Sequence, residues 1–385
     1  DQSQAAVVDT VLITAIASAV PVGGLLPLRA EVRDERGRVR SDLPVDWASS
    51  DLSVALVCQT GVVKGLKQGR ITVRATSGKR RGKIRLEISA EGAAGSLPAF
   101  PVAEGWGATA LNRCRALPME VLAVTNRNED GPGSLAQAVH SARSDRYSVI
   151  MFETGGVFRT PSDKGIRLNS SCTYIAGQTA PGDGVVIQGQ GPFWFRGGGG
   201  NVADVVMRYL RFRGKGGETR ENMIIAKGER IVLDHMSFSW TDNYIFAMLR
   251  YGGMSFSAPI SNVSVQNSVA SEVFAVHPTG PVFGSNQELK DAASIDMTNI
   301  SLHRNLWAHN SHRNPMIAAD NSLIANNIIY NWQIGAGMMN RRGTSDWISN
   351  YGKAGPMTRD DSGYLVTAYC DEMGGDFSIY ATGNV

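Results

Sequence analysis

"ISLHRNLWAHN" (residues 300–310) and "SLIANNIIYN" (residues 322–331) state one pattern twice. In each, a short β-branched run is followed by a polar turn with asparagine, then a second apolar run. Asn305, Asn327 and Asn350 fall 22 and 23 residues apart, and Asn267 sits at the matching place one turn of the pattern earlier. Runs of the same kind recur upstream as "GVVIQG", "VVMRYLRFRG", "IVLDHMSFSW" and "VSVQNSVAS". Strands repeating at this interval with few helical stretches imply a parallel β-helix, in which each coil buries its inward residues on its neighbours. Asparagines at equivalent turns then stack, each amide bonding the next. One helix is expected, over "SLAQAVHSAR" (residues 134–143), with Ser134 as its N-cap. The final "IYATGNV" reads as the beginning of another coil strand.

Outside this region the punctuation changes. Between about residues 7 and 90, "VVDTVLITAI", "LLPLRAEVRD", "LPVDWASS", "GVVKGL", "GRITVRATSG" and "GKIRLEIS" alternate apolar and polar positions and are separated by short polar turns. That is the pattern of an antiparallel β-sandwich, with Trp47 filling the space between its sheets. The small-residue stretch "EGAAGSLPAF" (residues 91–100) reads as a linker. The expected organisation is therefore a sandwich over residues 1–92 and a β-helix over 93–385. The basic turn Lys79-Arg80-Arg81-Gly82-Lys83 reads as a solvated hairpin.

Composition narrows the function. A formal charge of +3 is too weak to argue for nucleic acid, and no apolar run is long enough to span a membrane. "VLITAIASAV" (residues 11–20) imitates a signal peptide, but no basic residues precede it and its alternation is that of a strand. The chain opens at Asp1 rather than Met, as a chain already relieved of an export leader would. Cys58, Cys114, Cys172 and Cys370 form no CxxC pair, which argues against zinc. Buried thiols, or one disulfide such as Cys114 with Cys370, remain open from sequence.

The segment 302–315, "LHRNLWAHNSHRNP", concentrates His303, His309, His312, Arg304 and Arg313. Zinc would need three of these ligands to converge around an open position. The alternatives are a catalytic group and a ladder of turn residues. The aromatic run Phe193-Trp194-Phe195 is read as core packing at a coil, with sugar stacking as its alternative.

Several ordered stretches carry a family resemblance: "FPVAEGWGA", "VTNRNEDGPGSLAQAV", "YIAGQTAPGDGVVIQG", "VVMRYLRFRG", "IVLDHMSFSW", "HRNLWAHNSHRNP" and "NNIIYNW". From about Phe100 onward the chain resembles the pectate lyases of polysaccharide lyase family 1. The segment before it, through "WASSD" and "GVVKGLKQGRITVRATSG", resembles the bacterial immunoglobulin-like domain of surface adhesins. The first resemblance implies a right-handed parallel β-helix, an acidic uronate polysaccharide as partner and cleavage by β-elimination assisted by Ca2+. It implies that Arg313 stands at the place of the catalytic arginine and Asp242 at that of a calcium-binding aspartate, with Asn222, Glu221 and Asn243 beside it. His303, Arg304, His309 and His312 are the expected substrate contacts. Asp234, next to His235, matches an aspartate of structural role. The second resemblance implies display outside the cell.

The chain also departs from the family's pattern. Asn243 stands where an acidic residue is frequent, and Asn222 where an acidic ligand is usual, with Glu218 and Glu221 nearby but shifted. Thr279 replaces a lysine, Val282 a histidine, and Met316 an arginine; His303-Arg304-Asn305 replaces "HHN". A calcium site takes about six to eight oxygens, several from carboxylates, so these changes weaken it. Two functions follow as expectations. One is an exported lyase acting on an acidic polysaccharide. The other is a silent β-helix, a cell-surface scaffold, adhesin or self-associating filament subunit in which Arg313 is a remnant paired with Asp242.

Overall fold

The computed structural model describes residues 8–15, 19–22, 25–40, 42–57, 61–89, 98–161, 165–189, 191–195, 201–215, 221–249, 260–274, 278–284, 297–340, 343–369 and 377–385. The chain divides into two compact units, residues 1–100 and 101–385.

In the first unit, strands Val8–Ala15, Leu25–Asp34, Val62–Gly65 and Ala55–Val57 form one four-stranded sheet in that order. Ala19–Pro21, Arg80–Ser89, Gly69–Ser77 and Asp46–Ser49 form the other. Alternation along the strands sends Val11, Ile13, Val32, Val63, Val73, Leu86 and Ile88 inward, and Trp47 packs among them at 8% exposure. The basic run is only partly turn: the strand resumes at Arg80, whose guanidinium reaches Val8 O and Asp9.

The second unit winds through three parallel sheets. Sheet I has ten strands, from Met119–Val124 to Phe377–Thr382. Sheet II has eight, from Gly156–Arg159 to Tyr351–Lys353, and sheet III eight, from Ile166–Leu168 to Val366–Tyr369. From Tyr147 onward each coil visits I, II and III and then returns to I one rung higher, so strands pair with their counterparts in the next coil. This is the β-helix that the repeat implies. Inward residues make one continuous core; Phe212 stacks on Phe238 of the next coil at a centroid distance of 5.4 Å, and Phe238 on Phe246 of its own coil at 5.2 Å. Helix Leu135–Ser141 lies where expected, with Ser134 Oγ accepting from Gln137 N–H at 3.1 Å.

The turn between sheets I and II is an asparagine ladder. Asn305 Nδ2 donates to Asn327 Oδ1 (3.0 Å), Asn327 Nδ2 to Asn350 Oδ1 (2.9 Å), and Asn350 Nδ2 to Asn384 Oδ1 (2.9 Å). Asn267 is not in it. Gln266 pairs with His303, so Asn267 aligns with Arg304, and Ser268 takes the ladder position, its N–H donating to Asn305 Oδ1. The residue before each rung is left-handed: Tyr209, His235, Asn267, Arg304, Asn326 and Ser349 have φ between 51° and 57°. The spacing of 22 residues could not reveal this one-residue shift, because a coil of different length intervenes.

The lead-in segment crosses the outer face of sheet I. Trp106 N–H donates to Ser301 Oγ (2.9 Å) and Gly107 N–H to Ser264 Oγ (2.8 Å). A Cβ on Gly107 would stand 2.2 Å from Ile231 O, so only glycine allows this approach. Cys114 bonds to Cys172, which replaces the expectation of Cys114 with Cys370. The register explains it: Cys172 immediately precedes a sheet I strand, one rung from Asp204, whose carboxylate accepts from Leu111 N–H, so the lead-in is brought beside Cys172. Cys58 and Cys370 lie outside the described residues.

Candidate functional site

The turns between sheets II and III hold the residues singled out for chemistry. Four of these turns begin with a left-handed residue: Trp240, Glu272, His309 and Asn331 stand in equivalent places with φ of 69°, 63°, 56° and 53°. Further on, Tyr244, Thr279 and His312 pair in parallel register across three successive coils. Arg313 follows His312 and is itself left-handed, φ 61°. Its guanidinium carbon lies 5.8 Å from the centre of the Tyr244 ring, a cation–π approach that reaches across the intervening coil. Gly280 makes room for this, because a Cβ there would lie 2.4 Å from Arg313 O and 2.5 Å from Asn314 Oδ1.

Among the described residues, Arg313 has no acidic partner, and its Nε is buried without a hydrogen bond. Asp242 is half-buried on the turn two coils earlier and likewise makes no hydrogen bond or ion pair with a described residue. The expected pairing of Arg313 with Asp242 is therefore not formed. Tyr244 is the neighbour that the sequence did not announce; its signal was only an aromatic two residues after Asp242.

The remaining candidates divide. Asn243 Nδ2 donates to Glu221 Oε1 at 2.9 Å, and both residues are buried, at 7% and 5% exposure. Asn222 Nδ2 donates to Ser239 O at 3.0 Å. Glu221, Asn222, Asp242 and Asn243 thus occupy neighbouring turns that lead into sheet III. Glu218 lies outside the described residues. His309 is on the Arg313 turn but faces the next coil, with Nδ1 2.8 Å from Asn331 Nδ2 and its ring edge-on to Tyr330.

His303 and Arg304 are at the other end of strand Leu306–Ala308, in the turn between sheets I and II. Arg304 donates to Glu104 Oε2 (2.8 Å) and Asn267 Oδ1 (3.1 Å). His303 Nε2 lies 3.3 Å from Gln266 Oε1. Burial, reinforced by the charge of Arg304, pushes its imidazole down to about 4, against the opposing pull of Glu104 and Asp234. These two residues tie the lead-in to sheet I and are not brought to Arg313. The three histidines do not converge: among the described residues the only three-membered metal-type group is Cys114, Cys172 and Asp204, and the two cysteines are joined.

Asp234 is structural, as expected. Its carboxylate accepts from Arg208 Nε (2.7 Å), Gln266 Nε2 (2.8 Å) and Asn267 Nδ2 (2.9 Å), with His235 Nδ1 at 2.9 Å. Burial works to raise its pKa, but the hydrogen bonds from Asn267, Gln266, His235 and Arg208 outweigh it and hold the carboxyl below its ordinary value.

The described donors do not fit a calcium cage. They bring two carboxylates, one of which, Glu221, already accepts from Asn243, and two amides, of which Asn222 is anchored to Ser239 O. Two of the substitutions noted in the sequence, Val282 and Met316, are neighbours across adjacent coils. Val282 pairs with Met316, and Ala247 with Val282, along the outer side of sheet III. Together with Leu249 they form one buried apolar cluster against which Tyr244 and Met338 pack.

Comparison with known proteins gives three findings. Residues 7–88 match the bacterial Ig-like domain (group 2). Over 271 residues, 68% of the chain, it is 36% identical to a probable pectate lyase C of Neosartorya fischeri, covering 56% of that protein. Over 276 residues, 71% of the chain, it is 36% identical to a probable pectate lyase C of Aspergillus flavus, covering 57% of it. The chain therefore spans little more than half the length of these relatives. Among solved structures, the major allergen of cedar pollen aligns over 73% of this chain and 82% of its own, at 14% identity and a TM-score of 0.48.

Proposed function

We propose that this chain, which belongs to the pectate lyase family and carries an N-terminal bacterial immunoglobulin-like domain, binds an acidic, uronate polysaccharide along the turns between sheets II and III and cleaves it by β-elimination. The observation that carries this is Arg313. A guanidinium seated on Tyr244, with a buried unbonded Nε and no described acidic neighbour, is a cation awaiting an anion. A relic would be expected to have paired with Asp242. In β-elimination the C5 proton is taken by hydroxide from solvent, a C4–C5 double bond forms, and the C4–O4 bond breaks with O4 leaving as the alcohol once it has taken a proton from water. Arg313 stays charged throughout, because guanidinium is not deprotonated in proteins. Its part is to neutralise the uronate carboxylate and so stabilise the carbanion that develops beside it. Calcium enters only as an ion to be added in assay, and no step is assigned to it. The Cys114–Cys172 disulfide agrees with an oxidising, exported setting. Among the described residues no helix is long and apolar enough to cross a membrane.

A second reading, a non-catalytic scaffold or adhesin, draws on Val282 and Met316, which lie in one buried apolar cluster and stand where the family resemblance leads one to expect a histidine and an arginine. It also draws on Ile328 and Tyr351, which lie in register on the outer face of sheet II at 47% and 46% exposure and could meet a second copy.

One assay separates the two. Polygalacturonate is incubated with the protein, with added Ca2+ and in parallel with a chelator, from about pH 7 to about pH 10, where proton abstraction gains. Unsaturated product absorbing in the ultraviolet, lost by about a hundredfold or more in Arg313→Ala, supports the lyase. Absence of product at every pH supports the scaffold.

A further inference from the structure

We infer that Trp240 is a stacking platform for one pyranose ring of the polysaccharide, on the same turn edge as Arg313; this rests on the function proposed above. The position demands a left-handed backbone, as Glu272, His309 and Asn331 at the equivalent places show. Asparagine meets that demand easily, whereas a bulky aromatic at φ 69° is an outlier. The turn therefore does not select tryptophan. Nor does the core: Trp240 is 39% exposed, whereas Trp307 and Trp347 are at 1% and 0%.

The exposed indole is held from both sides. Its Nε1–H donates to Glu272 Oε2 on the next coil at 3.0 Å. The Arg213 guanidinium on the preceding coil lies 5.6 Å from the ring centre. Arg213 is fixed in turn by Phe212 O (2.8 Å) and by Ser237 Oγ (2.9 Å). A ring immobilised in this way loses little freedom on binding, as a recognition surface requires. Phe274, 44% exposed, donates its N–H to the carbonyl oxygen of Thr241, the residue after Trp240, at 2.7 Å. The chemistry fits a uronosyl unit: the aromatic face accepts the C–H face of a sugar, and Arg213 supplies positive charge for its carboxylate. Of the aromatic run 193–195, Phe193 and Phe195 are core residues at 1% and 0% exposure, and Trp194 between them is half-buried.

The test is calorimetric titration of the full chain with a short oligogalacturonate. Trp240→Ala should weaken binding about tenfold, the equivalent of one stacked ring, and Trp240→Phe should keep affinity within about threefold. Equal affinity of wild type and Trp240→Ala overturns the platform while leaving the Arg313 reading in place. If the wild type itself binds no oligogalacturonate, the proposed function fails and the platform with it. Should Trp240→Ala not fold, oxidation of the indole in the unmutated chain, located by mass spectrometry, decides the matter: protection by ligand supports the platform, and equal oxidation overturns it.

Discussion

The turns between sheets I and II and those between sheets II and III are built from the same backbone device, a left-handed residue repeated from coil to coil, yet they treat their polar groups in opposite ways. In the first, Asn305, Asn327, Asn350 and Asn384 bond each other, and Asp234 gathers donors from four side chains. In the second, Thr241 Oγ1, Asn310 Oδ1 and Arg313 Nε are buried without described hydrogen-bond partners. An unsatisfied buried polar group costs about 1–3 kcal/mol. The first row of turns therefore stabilises the stack, and the second is the row on which the proposed function places a ligand.

The contrast can be broken at either row. The largest stability effect belongs to Asn327, which makes four hydrogen bonds in the ladder at 1% exposure. Asn327→Leu should lower unfolding free energy by roughly 3–5 kcal/mol, since it strands several backbone groups at once; denaturant melts measure it, and a loss under about 1 kcal/mol would mean that the ladder is ornamental. His303 comes next. Its folded pKa, pushed down to about 4, lies below that of the unfolded chain, so on acidification the unfolded state takes the proton first. The contribution is complete above about pH 6.5 and is lost as pH falls toward 4, on the order of 3 kcal/mol in all. His303→Gln should flatten the stability profile in that window; an unchanged slope would contradict the burial argument. The smallest effect is that of Asp242→Asn. With no described partner to lose, it should move stability by no more than about 0.5 kcal/mol, while changing affinity for oligogalacturonate. A large drop in melting temperature would show that Asp242 is architectural after all.

How much of this could be read from the sequence depended on what repeats. The β-helix was legible because Asn305, Asn327 and Asn350 recur at coil length and strands flank each one. The sandwich was legible because alternation and turn chemistry are local. Pairing across coils was not: Asn267 looked like a rung and is the residue before one, and Cys114 found Cys172 because the lead-in crosses sheet I. Adjacent histidines in the chain also misled. His303 and His312 are nine residues apart, but a strand separates their turns, so the first serves Glu104 and Gln266 and the second stands in the column of Tyr244 and Thr279. Trp240 went unnoticed because exposure cannot be read from a motif most of whose residues are buried.

The central claim is that Arg313 is a working cation rather than a remnant. Its most direct test is the rate at which wild type and Arg313→Ala release unsaturated product from polygalacturonate, with both proteins checked for the same melting temperature. The account predicts measurable turnover in the wild type and a loss of about a hundredfold or more in the variant. Equal rates in the two proteins, or no product from the wild type at any pH tried, would contradict it.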